Sequence, residues 1–220
     1  MASTNANWFI YYFKRIPVIG RILPDSIYRD SDLKKITAVV AAVLTIFKTL
    51  MKQTVFFGLL LILPVMWLGK GFTPQLRYDS YIHVFFMLLF LGFPTSAIFC
   101  SERDKYICIR LMRMDAKSYI ISTMLFHNQL NALCSLPVLV ISSSLLGGTA
   151  LQGLLLTVYK AGFDLIGEAL HLFAYAKRGV ILSKKVPFVV IVALLSLAAA
   201  YLPLWQGHPL DLNPLQGFRT

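Results

Sequence analysis

Four ionisable residues, Lys160, Asp164, Glu168 and His171, recur at spacings of four, four and three within an otherwise apolar stretch. On a helix advancing 100° per residue they fall within about 80° of arc, one polar stripe on one side. Ionisable groups at membrane depth are costly and turn toward a cavity, a partner or each other. Such a stripe serves as the lining of a substrate path or as a route for proton transfer. It can equally be a self-paired ladder, Lys160 with Asp164 and Glu168 with His171, or a gradient of depth with His171 near an interface. A weaker stripe, His127, Asn131, Cys134 and Ser135, shares one side of the preceding apolar stretch, with Pro137 just beyond. Hydrogen bonding between spanning helices is the simpler role for it.

Metal or covalent chemistry finds little support in the pattern. Glu168 and His171 stand at the Glu-x-x-His spacing of di-iron bundles, but that spacing must recur on a second helix and does not. No His-Glu-x-x-His zinc-protease pattern occurs, and Ser142, Ser143 and Ser144 have no neighbouring base. No Gly-x-x-x-x-Gly-Lys-Ser/Thr loop occurs, so ATP is not bound by this chain in that manner. The chain is expected to carry no catalytic residues, no metal and no cofactor of its own, and not to be an enzyme.

The elements that hold these stripes follow from composition. The chain has 220 residues, 57% hydrophobic and 14% charged, with a mean hydropathy of +0.69. A soluble domain is nearer 25% charged, so an integral membrane protein in contact with the lipid bilayer is expected. The net charge of +11 would suggest nucleic acid in a soluble chain. Here the Lys and Arg residues sit in short loops, as the positive-inside rule requires, and no nucleic-acid partner is implied. The three cysteines, Cys100, Cys108 and Cys134, are too few for a disulfide scaffold, and free thiols are expected.

The fold class expected is all-α, a polytopic membrane bundle of five transmembrane helices with an interfacial amphipathic helix at the N-terminus. Residues 1–52 form a cytoplasmic lead: Trp8 to Phe13 run into Lys14-Arg15, and Ile36, Val39, Val40, Val43, Leu44, Phe47, Leu50 and Met51 share one face of a surface-lying helix. Residues 53–205 form the transmembrane domain, with spans at Gln53–Gly69, Tyr81–Cys100, Ser118–Leu146, Thr149–Ala176 and Val186–Trp205. Residues 206–220 form an extracytoplasmic tail. Lys plus Arg number eight to residue 52, two in 70–80, five in 101–117, none at Gly147-Gly148, four in 177–185 and one in the tail. That alternation predicts the N-terminus inside and the C-terminus outside a cell membrane crossed several times.

The polar segment Ser101–Ser122 lies between two of these spans. Wound as one helix, it places Ile107, Leu111 and Met114 on one side and Arg110, Arg113 and Lys117 on the other. It resembles the cytoplasmic loop of type-2 ABC exporter permeases: Glu102 and Arg103 match the charged pair that ends a span, Leu111 and Met112 the Leu-rich turn, and Asp115 to Tyr119 the re-entry. Arg113-Met114 departs from the pattern, where many members have a proline.

The resemblance implies that this loop carries a coupling helix, with Glu102, Arg103, Arg110, Leu111, Arg113, Met114 and Lys117 meeting a separate ABC ATPase subunit that binds ATP. It implies a second permease unit, as a dimer or a fused half, and a bacterial cell membrane; the substrate path, read from the two polar stripes themselves, draws on Lys160, Asp164, Glu168, His171, His127 and Asn131. Members have six spans per unit, so a five-span chain reads as the N-terminal half of a longer permease in preference to a true five-span protein. The alternative is a stand-alone proton-coupled transporter or membrane enzyme using the charged stripe, and a scaffold or immunity-type membrane protein is the third reading.

Overall fold

The computed structural model describes residues 31–100, 109–110, 113 and 115–207, and every regular element among them is helical. The chain divides into two compact units, Met1–Met51 and Lys52–Thr220. In the first, the described residues belong to helix α1, Ser31–Phe57, and Val39, Val40, Val43, Leu44, Phe47 and Met51 are exposed.

α1 does not stop at residue 52, where the surface helix was expected to hand over to a separate span. It continues through one π turn, Gly58–Ile62, into α2, Leu63–Leu68. Pro64 causes the π turn. A proline has no N–H and would leave the Leu60 carbonyl without its donor four residues on. The helix shifts register so that Leu63 N–H bonds Gly58 O. The Tyr201 hydroxyl, from the last helix, donates to Leu60 O at 2.6 Å.

α3, Pro74–Leu89, starts on a Thr73 cap with Pro74 in its first turn. It is the hub of the second unit. Every residue from Ser80 to Phe85 is buried, because neighbours cover it from several sides. Phe57 of α1 stacks on Phe85 at 6.3 Å between ring centres. Tyr81 bonds Ser142 of α5, Ala116–Leu145, at 2.9 Å, and Phe86 meets Tyr159 of α6, Ala150–Arg178, edge-on. His83 reaches Ala199 O of the last helix at 3.0 Å. That carbonyl is the one Pro203 orphans, so the ring nitrogen Nε2 must donate to it. A 3₁₀ turn, Phe90–Gly92, and the short α4, Ala97–Cys100, follow α3.

α5, Ala116–Leu145, and α6, Ala150–Arg178, form a hairpin paired along most of its length. The turn between them is set by its end groups. Gly148 N–H bonds Ser143 O across Gly147, whose φ of 94° suits only glycine. Thr149 and Gln152 then open α6 with a reciprocal capping box. One turn further on, a Cβ at Gly153 would sit 2.6 Å from Val140 Cα, so the two backbones touch at a residue without a side chain. α7, Val186–Trp205, completes the unit.

Among the described residues, three helices are long and apolar enough to cross a membrane: Ala42–Leu68, Ala116–Leu145 and Val186–Trp205. Five were expected, and the stretches Tyr81–Cys100 and Thr149–Ala176 do not meet that standard. The first becomes α3, only 16 residues long, because the chain breaks at Gly92–Pro94. The second becomes α6, whose apolar run is interrupted by Lys160, Asp164 and Glu168.

Candidate functional site

The break after α3 is where the polar stripe of α6 is used. Phe93 N–H bonds Phe90 O, and Thr95 folds both its N–H and its hydroxyl back to Gly92 O. The Phe93 carbonyl is past the last turn and has no helical donor ahead of it, since Ala97 only begins α4. In an apolar bundle such a group must find a partner. His171 supplies it: its Nε2 donates to Phe93 O at 2.6 Å, and the ring is 1% exposed. Beside it, the buried Ser96 hydroxyl donates to Glu168 Oε2 at 2.6 Å. Two residues of α6, one turn apart, thus clasp the break.

The other half of the stripe closes on itself. Lys160 Nζ bonds Asp164 Oδ2 at 2.7 Å, the i, i+4 pairing expected of a ladder. Lys160 is almost fully buried and Asp164 half-buried, with Gly92 approaching its other oxygen. The ladder stops there. Neither ring nitrogen of His171 bonds Glu168: Nε2 is used on Phe93, and Nδ1 is buried with no partner. Gly167 lets α6 approach, since a Cβ there would stand 3.1 Å from the Phe93 ring. Phe90, Phe93 and Phe163 pack edge-to-face or tilted around this seam.

The second stripe has a different use. Asn131 accepts from Gln53 of α1 at 3.5 Å, a bond between two helices, and Cys134 and Ser135 are buried. His127 is half-buried one turn earlier. No hydrogen bond or ion pair joins His127 or Asn131 to the α6 stripe among the described residues. The substrate-path set expected from sequence is therefore split between two seams.

Of the coupling segment, Glu102, Arg103, Leu111 and Met114 lie outside the described residues. Arg110, Arg113 and Lys117 are exposed. They do not share one helical face as a continuous helix from Ser101 to Ser122 would require. Arg113 has a left-handed φ of 52°, and Asp115 is extended and caps a new helix, so Lys117 belongs to α5. The Asp115 carboxylate accepts from Ser118 N–H at 2.8 Å and from its hydroxyl at 3.0 Å, and these bonds hold its pKa below the usual 3.8.

Sequence reading missed the partners on the far side of each bond: Ser96, the Phe93 carbonyl, His83, Tyr201 and Gln53. A signal existed for two of them. A proline four residues after a buried carbonyl, Pro64 after Leu60 and Pro203 after Ala199, announces an acceptor that some donor must reach. Among the described residues no group of three or more His, Cys, Asp or Glu is arranged to hold a metal ion. No protein family, curated protein or solved structure matches the chain.

Proposed function

We propose that the chain is the membrane-spanning permease component of an export system, and that the seam between α6 and the break after α3 is its moving centre. The observation that carries this reading is the use of α6. Glu168 and His171, groups costly to bury, hold a non-helical turn inside a bundle of apolar helices. Broken helices facing ionisable groups are the usual setting of substrate and coupling sites in transporters. The centre has the parts of a two-position joint: a short helix, α4, tethered through side-chain bonds that can be exchanged.

In this reading α3 and α6 join the three apolar helices as a five-helix membrane bundle, α3 insulated by its neighbours and α6 presenting its charges inward. The N-terminus lies inside and the tail outside. The energy comes from a separate ABC ATPase that docks on the segment around Asp104–Lys117, in keeping with its likeness to type-2 exporter permeases. The exposed Arg110, Arg113 and Lys117 supply the basic contacts, and a second permease unit completes the path.

The test is recovery of the chain from its native membrane after mild cross-linking. An ATPase subunit should come with it. Leu111→Asp and Met114→Asp should abolish that recovery without loss of membrane insertion, whereas Asp164→Asn should leave recovery intact and uncouple ATP turnover. Recovery of no ATPase, or recovery unchanged by both loop substitutions, overturns the ATP-driven form.

A further inference from the structure

His171 carries a feature that the clasp does not use. Because a carbonyl can only accept, Nε2 holds the ring proton, and Nδ1 of the neutral ring is a bare lone pair. It is buried, in a residue 1% exposed, with no partner. Buried polar atoms are nearly always satisfied, and an exception calls for a reason. We infer that His171 Nδ1 is a proton-binding site, and that its occupancy releases α4 from α6. The inference rests on the seam being the moving centre, though not on what drives it.

The step is a simple uptake: a proton from the aqueous side adds to the Nδ1 lone pair, and neutral imidazole becomes imidazolium. The new Nδ1–H needs an acceptor in a site closed to water. Glu168, three residues earlier on the same face, is the carboxylate within a turn. Its Oε2 is engaged by Ser96, at the threshold of α4. A charged ring draws the carboxylate away from a neutral hydroxyl, since a charge-assisted bond is the stronger of the two. Ser96 then loses its anchor, and α4 is freed at the end nearest the seam.

The other ionisable groups near this step are few. On α6 they are the Lys160–Asp164 pair, already matched, with Tyr159, Tyr175, Lys177 and Arg178. Residues 90–99 have no ionisable side chain. Among the described residues of the elements packed on α6, α5 contributes Lys117, Tyr119, His127 and Cys134, and the 3₁₀ turn Leu182–Lys184 contributes Lys184.

The contact between Phe99 of α4 and Tyr175 of α6, 5.2 Å between ring centres, reports whether α4 is seated. Nitroxide labels are placed at these two positions in a chain whose three cysteines are replaced, and it is reconstituted in vesicles of phosphatidylcholine with phosphatidylglycerol. Spectra are recorded between pH 8.5 and pH 5. Spin–spin broadening should fall at least about fivefold over that range, and His171→Gln, whose amide still donates to Phe93 but takes no proton, should abolish the dependence.

Wild-type broadening that is flat with pH, or a His171→Gln chain that titrates like wild type, overturns the inference. Should His171→Gln fail to insert, ¹⁵N spectra of wild-type protein decide it. The histidine coupled to a ¹³C-labelled Phe93 carbonyl should become imidazolium by pH 5, and a ring that stays neutral overturns the proposal. A chain that shows the pH response but recovers no ATPase overturns only the ATP-driven form. One that recovers the ATPase with no pH response overturns only the proton linkage.

Discussion

A buried histidine in an apolar helix is usually read by its ring, but His83 is explained by a proline on another helix. Pro203 strips Ala199 O of its donor, and His83 Nε2 restores it at 3.0 Å. The two residues should therefore be energetically coupled through that carbonyl. His83→Phe leaves a buried carbonyl unsatisfied and should cost about 1–3 kcal/mol. In a Pro203→Ala background the helix supplies its own N–H to Ala199, and the same substitution should cost about 1 kcal/mol less. Unfolding of the four proteins in mixed micelles measures the difference, and additive losses would refute the pairing. The residues of α6 were legible because their spacing is helical and local. Ser96 was not, because its bond to Glu168 joins positions 72 residues apart, and a serine in an apolar run carries no signal.

Among elements, the α5–α6 hairpin shows how far backbone contact controls packing. Gly153 has the Val140 backbone where a methyl group would go, and Gly162, on the same helix, has open space. Gly153→Ala should force the helices apart and lower stability by about 1–3 kcal/mol. Gly162→Ala should leave it unchanged or raise it by up to about 1 kcal/mol through helix propensity. Thermal denaturation of each variant checks both, and equal effects would mean that the hairpin is not seated on Gly153. The extents of α5 and α7 were readable from long apolar runs bounded by Asp115, Gly147 and Pro187. The end of α3 was not, because Phe90 to Phe99 stays apolar through the break, and hydropathy cannot distinguish an apolar turn from an apolar helix. Pro94 marked the place without giving the fold-back onto α6.

For the molecule, the open count is how many helices cross the bilayer. Among the described residues three qualify by length and apolarity, and the alternation of Lys and Arg argues for five. The two arrangements place the loops differently. With five crossings, cysteines introduced at Gly71 and Arg113 face opposite sides, as do those at Gly147 and Ser183. With three, each pair shares a side. Labelling of intact cells with a membrane-impermeant thiol reagent should mark one member of each pair, and labelling of both or neither would reduce the count to three. Of the charged residues that disqualify α6 from the simple standard, Glu168 serves the neighbouring break and Lys160 and Asp164 match each other, so composition alone undercounts where a bundle supplies its own polar partners.

The encirclement of α3 has a consequence for how the chain is made. This helix brings Arg77, Asp79 and His83 toward the membrane, and it leaves the ribosome before α5, α6 and α7, the helices that later surround it. It has little to offer lipid on its own, and His83 meets its acceptor only when α7 has emerged. Biogenesis must then keep α3 waiting, at the insertion machinery or at the bilayer surface, until the last helix arrives. A chain halted before Val186 would present an unfinished bundle to the quality-control proteases.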